Sequence, residues 1–131
     1  MPEMKKKRPK YLALHEIRLP LAGYASILHR VSGAGLFLML PLLIWLLQLS
    51  LGFTTESAAT FSAVTGNLLV KLILLGLLWA FLHHFCMGIR ILLIDIHVGV
   101  EKQQANASAV AVMLVSLTMT LIFGLKLMGA Y

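Results

Sequence analysis

Residues 31–55 read VSGAGLFLMLPLLIWLLQLSLGFTT, 25 residues without a Lys, Arg, Asp or Glu. At about 1.5 Å per residue, a helix of that length exceeds the roughly 30 Å of hydrocarbon in a bilayer. Two further stretches, 72–89 and 105–125, also lack those four residues. Of the 131 residues, 60% are hydrophobic and 12% charged, where a soluble domain carries about a quarter charged. The expected fold class is an all-α membrane protein with three transmembrane helices, near 31–52, 70–95 and 106–128. Residues 31–131 then form one transmembrane domain, preceded by a basic arm and interfacial segment over 1–30.

Charge orients the spans. The net charge is +6, and Lys5, Lys6, Lys7, Arg8, Lys10, Arg18 and Arg30 all precede the first span. The first loop, about 53–69, holds Glu56 and no basic residue, while the second carries Lys102. The positive-inside rule puts the N-terminus and second loop in the cytoplasm and the C-terminus on the far side. The lysine run lacks interleaved aromatics and abuts a span, so it reads as a topology signal and not as a nucleic-acid site. A cleavable signal peptide is not expected, because the first apolar run is too long and lacks a small-residue cleavage pattern.

Several positions carry local expectations. Pro9 and Pro20 disfavour helix just before them, and 23–29 reads as a short interfacial helix. Pro41 interrupts the first span and predicts a kink. Gly33 and Gly35 let another helix approach closely. The loop 54–67 is expected to hold a short amphipathic helix. Ser116, Thr118 and Thr120 are expected to bond carbonyls of their own helix. Cys86 is the single cysteine, so it forms no intrachain disulfide, reads as a packing residue, and leaves zinc and thiol chemistry unsupported.

The residues that interrupt the apolar pattern carry the chemistry. His84 sits inside an apolar helix, where imidazole serves either as a haem ligand or as a hydrogen-bonding partner of a neighbouring helix. Gly88, one turn on, leaves room for a flat macrocycle. His83 points about 100° away, towards lipid, a partner or another span. Arg30 and Arg90 lie towards the cytoplasmic ends of their helices, suited to haem propionates or to snorkelling. Ser26 and Arg30 are four apart and share a face if helical, so they can polarise a quinone carbonyl; alternatively Ser26 caps a helix. Asp95 ends the second span as a proton relay or a solvated terminus. No second haem ligand is evident, so either His29 or a histidine of another subunit must supply it.

The motifs Arg8-Pro9…Leu14…Ser26-x-x-His29-Arg30-x-Ser32 and His84-x-x-x-Gly88-Ile89-Arg90, with Asp95 five residues later, resemble one family. It is the cytochrome b membrane-anchor subunit of succinate dehydrogenase, respiratory complex II, and the resemblance covers nearly the whole chain. It implies half of a heterodimeric anchor bundle in the bacterial inner membrane, with the C-terminus periplasmic. It implies one haem b, with His84 as axial ligand and the opposite histidine from a second three-helix anchor subunit. Ser26 and Arg30 match quinone-site residues for ubiquinone, and His29 and Arg30 lie near the propionates; Arg90 and Asp95 are further candidates. Implied partners are a flavoprotein subunit that oxidises succinate, an iron–sulfur subunit that passes electrons to quinone, and membrane lipids. The chain departs from the family pattern at Lys10, Ile91, where histidine is frequent, Ile94, and His97, where a small residue is usual. Rival readings are a haem-free structural anchor and a small transporter subunit; the latter needs mid-span polar groups that this sequence scarcely offers.

Overall fold

The computed structural model describes residues 15–131 together with Arg8, Lys10, Tyr11 and Ala13. Lys5, Lys6 and Lys7 of the basic arm, and Pro9 and Leu14 of the first motif, lie outside the described residues. Five helices follow in order: α1 (Leu21–Leu38), α2 (Leu40–Leu51), α3 (Thr55–Gly66), α4 (Leu68–Asp95) and α5 (Lys102–Leu127). Among the described residues there is no strand. Helices α4 and α5 are each long and apolar enough to cross a membrane. The pair α1–α2 meets the same test only when taken together, across a bend of 53°. The span count is therefore two, or three if the bent pair is one span.

Proline punctuates the first of these elements. Pro20 occupies the N-cap of α1, and the helix begins directly after it. Pro41 lies in the first turn of α2; it has no N–H to give and its ring crowds the carbonyl four residues back. The backbone breaks at Met39, whose N–H is shared between the Gly35 and Phe37 carbonyls, so the expected kink is present. One expectation is corrected here. Residues 23–29 are not a separate interfacial helix but the opening turns of α1, which continues without interruption to Leu38. Nothing between Leu21 and Leu38 lacks an N–H or forces a break, so the helix propagates.

Side-chain caps separate the remaining helices. Thr54 accepts a hydrogen bond from the Ser57 N–H and starts α3 within the 54–67 loop, and Asn67 accepts from Leu69 and Val70 to start α4. α4 ends in a six-to-one turn, the Val98 N–H donating to the Leu93 carbonyl. That turn puts His97 at φ +63°, the left-handed region where glycine is least strained.

The bundle is antiparallel. Ala25 and His29 of α1 meet His83 and His84 of α4, while Arg90 of α4 meets Ala105 and Ser108 at the start of α5. Helix α2 packs on α1 and α3 and leans away from α4 and α5. The fully buried positions are mostly small: Ala25, Ser32, Ala109, Ser116 and Gly124. In lipid, where apolar burial between helices gains little, close backbone approach of this kind holds helices together. At Gly124 an added Cβ would fall within contact range of the Leu75 side chain. Ser116 and Thr120 donate to carbonyls of α5 itself, as expected, while Thr118 makes no such bond. Cys86 packs against the cluster Ala25, Met87, Ala109 and Val112.

Candidate functional site

One stripe of α1 builds the wall that faces α4. Ala25, His29 and Ser32 recur at helical spacing, and Ala25 and Ser32 are buried. His83 of α4 is 0% exposed, and its Nε2–H donates to the Ala25 carbonyl at 3.2 Å. Because that nitrogen carries the hydrogen, Nδ1 is left as an acceptor, and it has no partner among the described residues. Trp79 stacks on the ring at 5.2 Å. Of the three destinations open to His83, the structure takes the neighbouring span.

His84 engages the next rung of α1. Its Nδ1–H donates to the His29 carbonyl at 3.0 Å, and the Ser32 hydroxyl donates to the same oxygen at 2.8 Å. The His29 and His84 rings stack, with centroids 4.2 Å apart and planes 10° from parallel. Gly33 completes the cradle: a Cβ there would lie 2.7 Å from His84 Cε1, so only glycine leaves the ring in place. A carbonyl can only accept, so the hydrogen of a neutral His84 resides on Nδ1 and the lone pair on Nε2. Among the described residues Nε2 makes no hydrogen bond. A ring fixed by one nitrogen, with the other bare, is the arrangement of metal-bound imidazoles. One turn along, a Cβ added to Gly88 would meet nothing within 4 Å, so no side chain of this chain crowds that position. No group of three or more His, Cys, Asp or Glu that could hold a metal ion exists among the described residues. The donor set thus suits a metal that arrives with its own equatorial ligands, as haem iron does.

The other candidates are distributed around this pair. Ser26 and Arg30 lie one residue beyond Ala25 and His29, about 100° around α1, and four apart on one face. Neither side chain has a hydrogen-bonding partner among the described residues, and Arg30 is exposed. Ser26 is inside α1, whose N-cap is Pro20, which excludes the capping role. Arg90 is buried and turned to α5: Nε–H donates to Ser108 Oγ at 2.8 Å and Nη2–H to the Ala105 carbonyl at 2.9 Å. Its Nη1 has only the Met87 sulfur, 3.9 Å away. Asp95, the last residue of α4, is exposed. The structure therefore brings His29 and His84 together, leaves Ser26 and Arg30 on the neighbouring face of α1, and turns Arg90 to α5.

Sequence reasoning assigned no role to Ser32 or to the Ala25 and His29 carbonyls, and it gave Gly33 only a general packing role. A signal was present: Ala25, His29 and Ser32 form a period-3.6 stripe of small and polar residues at the mouth of an apolar run.

Such a fold and site define a class: a small helical membrane protein with an imidazole oriented by one ring nitrogen beside a serine–arginine face. The chain matches the family described as succinate dehydrogenase/fumarate reductase transmembrane subunit over residues 4–123 and belongs to it. It is similar to the succinate dehydrogenase cytochrome b556 subunit of Coxiella burnetii, 36% identical over 117 residues, covering 86% of this chain and 90% of that protein. The subunit of the same name from Paracoccus denitrificans is 35% identical over 105 residues, 79% of each chain. That of Rickettsia felis is 29% identical over 120 residues, 92% of this chain and 93% of the relative.

Proposed function

We propose that this chain is the cytochrome b anchor of a succinate dehydrogenase, holding one haem b through His84 and presenting Ser26 and Arg30 to ubiquinone. The observation that supports the haem assignment is the fixed Nδ1 and bare Nε2 of His84 on a ring that is only partly buried, where His83, also held by one nitrogen, is wholly enclosed. Membership of the family and the name cytochrome b556 on its relatives support the same cofactor. Bound there, haem b would supply a one-electron redox site. His29 orients His84 through its carbonyl, and its own ring and Arg30 would be available to anionic propionates. A second histidine for the haem would come from a second anchor subunit, and the flavoprotein and iron–sulfur subunits would dock at the cytoplasmic surface of the inner membrane. The basic residues before α1 support that orientation.

At the quinone, this chain's part is electrostatic. Negative charge develops on the carbonyl oxygen as electrons arrive from the iron–sulfur subunit. The planar guanidinium of Arg30 and the hydroxyl of Ser26 are donors on one helix face at which that charge can be met. Asp95, the last residue of α4, is exposed. The test is the ratio of quinone-linked to dye-linked succinate oxidation in assembled membranes. Arg30→Leu should lower it by about 10²–10³, the typical effect of losing one such donor. Arg30→Lys should fall less, and Ser26→Ala least, since a neutral hydroxyl bond is the weaker. An Arg30→Leu complex that assembles and keeps the wild-type ratio would remove Arg30 from the quinone site.

A further inference from the structure

The end of the bundle opposite Arg30 carries two lysines that the quinone and haem reading leaves unused. Lys71 lies in the first turn of α4 and Lys126 in the last turn of α5. The helices are antiparallel, so both reach the same membrane face. Both line one cavity of about 630 Å³, bounded by α2, α3, α4 and α5. Its existence follows from the bend at Met39 and Pro41, which swings α2 away from α4 and α5 and leaves a wedge that α3 floors.

The lining has two levels. Leu46, Leu74 and Leu127 supply an apolar wall, and Lys71, Lys126 and Ser62 a polar rim. No carboxylate lines the cavity, and neither lysine has an ion-pair partner among the described residues. A single lysine at a helix end can simply snorkel to water. Two lysines on the lining of one cavity, with no carboxylate beside them, favour an anion held there. Ser62 has no hydrogen-bonding partner among the described residues, so its hydroxyl is free to donate. The Ser50 and Thr65 hydroxyls on the same lining already donate to carbonyls of their own helices.

We propose that this cavity binds an anionic phospholipid, its phosphate between Lys71 and Lys126 and an acyl chain along the leucine wall. A lipid and not a free anion is the occupant because the charged rim is continuous with apolar surface at a helix end in the bilayer. A lysine beside an anionic lipid is worth about fivefold in affinity, so the pair is worth roughly 30-fold. The complete complex, wild type or Lys71→Gln/Lys126→Gln, is isolated in mild detergent and titrated with phosphatidylglycerol, bound lipid being counted by native mass spectrometry. The wild type should retain one phosphatidylglycerol that the double variant binds roughly 30-fold more weakly. The corresponding double Arg variant should retain it, and excess inorganic phosphate should not displace it. Should the double variant not assemble, Lys126→Gln alone, at an exposed position, should show the fivefold loss. Equal lipid retention in wild type and variant overturns the proposal. So does displacement by inorganic phosphate alone, which marks a free-anion site, or loss of a protein subunit from the variant with its lipid unchanged.

Discussion

The site depends on one nitrogen of one histidine. His84 Nδ1 is held by a backbone carbonyl that α1 presents at a fixed height, and Gly33 is the residue that lets the ring lie against α1. Gly33→Ala places a Cβ where His84 Cε1 needs room, so the ring must turn and lose its bond to the His29 carbonyl. Disturbing a partner that orients a metal-bound histidine typically weakens binding about 10–100-fold. The haem content of purified Gly33→Ala complex should fall accordingly while the subunits remain assembled; full haem occupancy would show that the cradle does not set the ring. His84 was legible as a candidate in the sequence, where spacing left a haem ligand and a hydrogen-bonding partner of a neighbouring helix both open. Its anchor was not. A backbone carbonyl leaves no trace in side-chain identity, and the contact joins residues 55 apart in the chain.

At the scale of helices, the three uncharged runs were enough to locate α4 and α5 to within a few residues. Length and hydropathy act locally, so a sequence carries them openly. The start of α1 was misjudged because Ser26, His29 and Arg30 are polar, and polarity was taken to separate an interfacial segment from the span. Helix propagation depends on backbone hydrogen bonds instead, and these continue unbroken to Met39. Arg90 illustrates the other limit. Its residue type is equally suited to propionates and to neighbouring carbonyls, and only the rotation of α4 directs it to Ser108 and Ala105. It therefore ties α4 to α5. Ser108→Ala leaves a buried guanidinium short of an acceptor, a loss of about 1–3 kcal/mol. The thermal midpoint of the assembled complex should drop, with the haem spectrum unchanged; an unaltered midpoint would mean that the clip contributes nothing.

Considered whole, the molecule buries little and exposes much. Phe37, Leu38, Leu47, Phe81, Phe85 and Leu114 are among many large apolar side chains open on its surface, a surface that only lipid or partner helices can cover. His84 is only partly buried in this chain. Partner identity lies beyond what periodicity or charge can encode, since it is fixed by surfaces of another chain. Ligation by His84 is accordingly best tested in the assembled complex, by the reduced-minus-oxidised absorption spectrum of His84→Leu beside His83→Leu. Removing a strong-field nitrogen from the iron should abolish or alter the reduced low-spin b-type bands in His84→Leu. His83→Leu gives up the bond to the Ala25 carbonyl and the stack on Trp79 and should keep those bands. An unchanged spectrum in His84→Leu, with haem still bound, would contradict the assignment at its root.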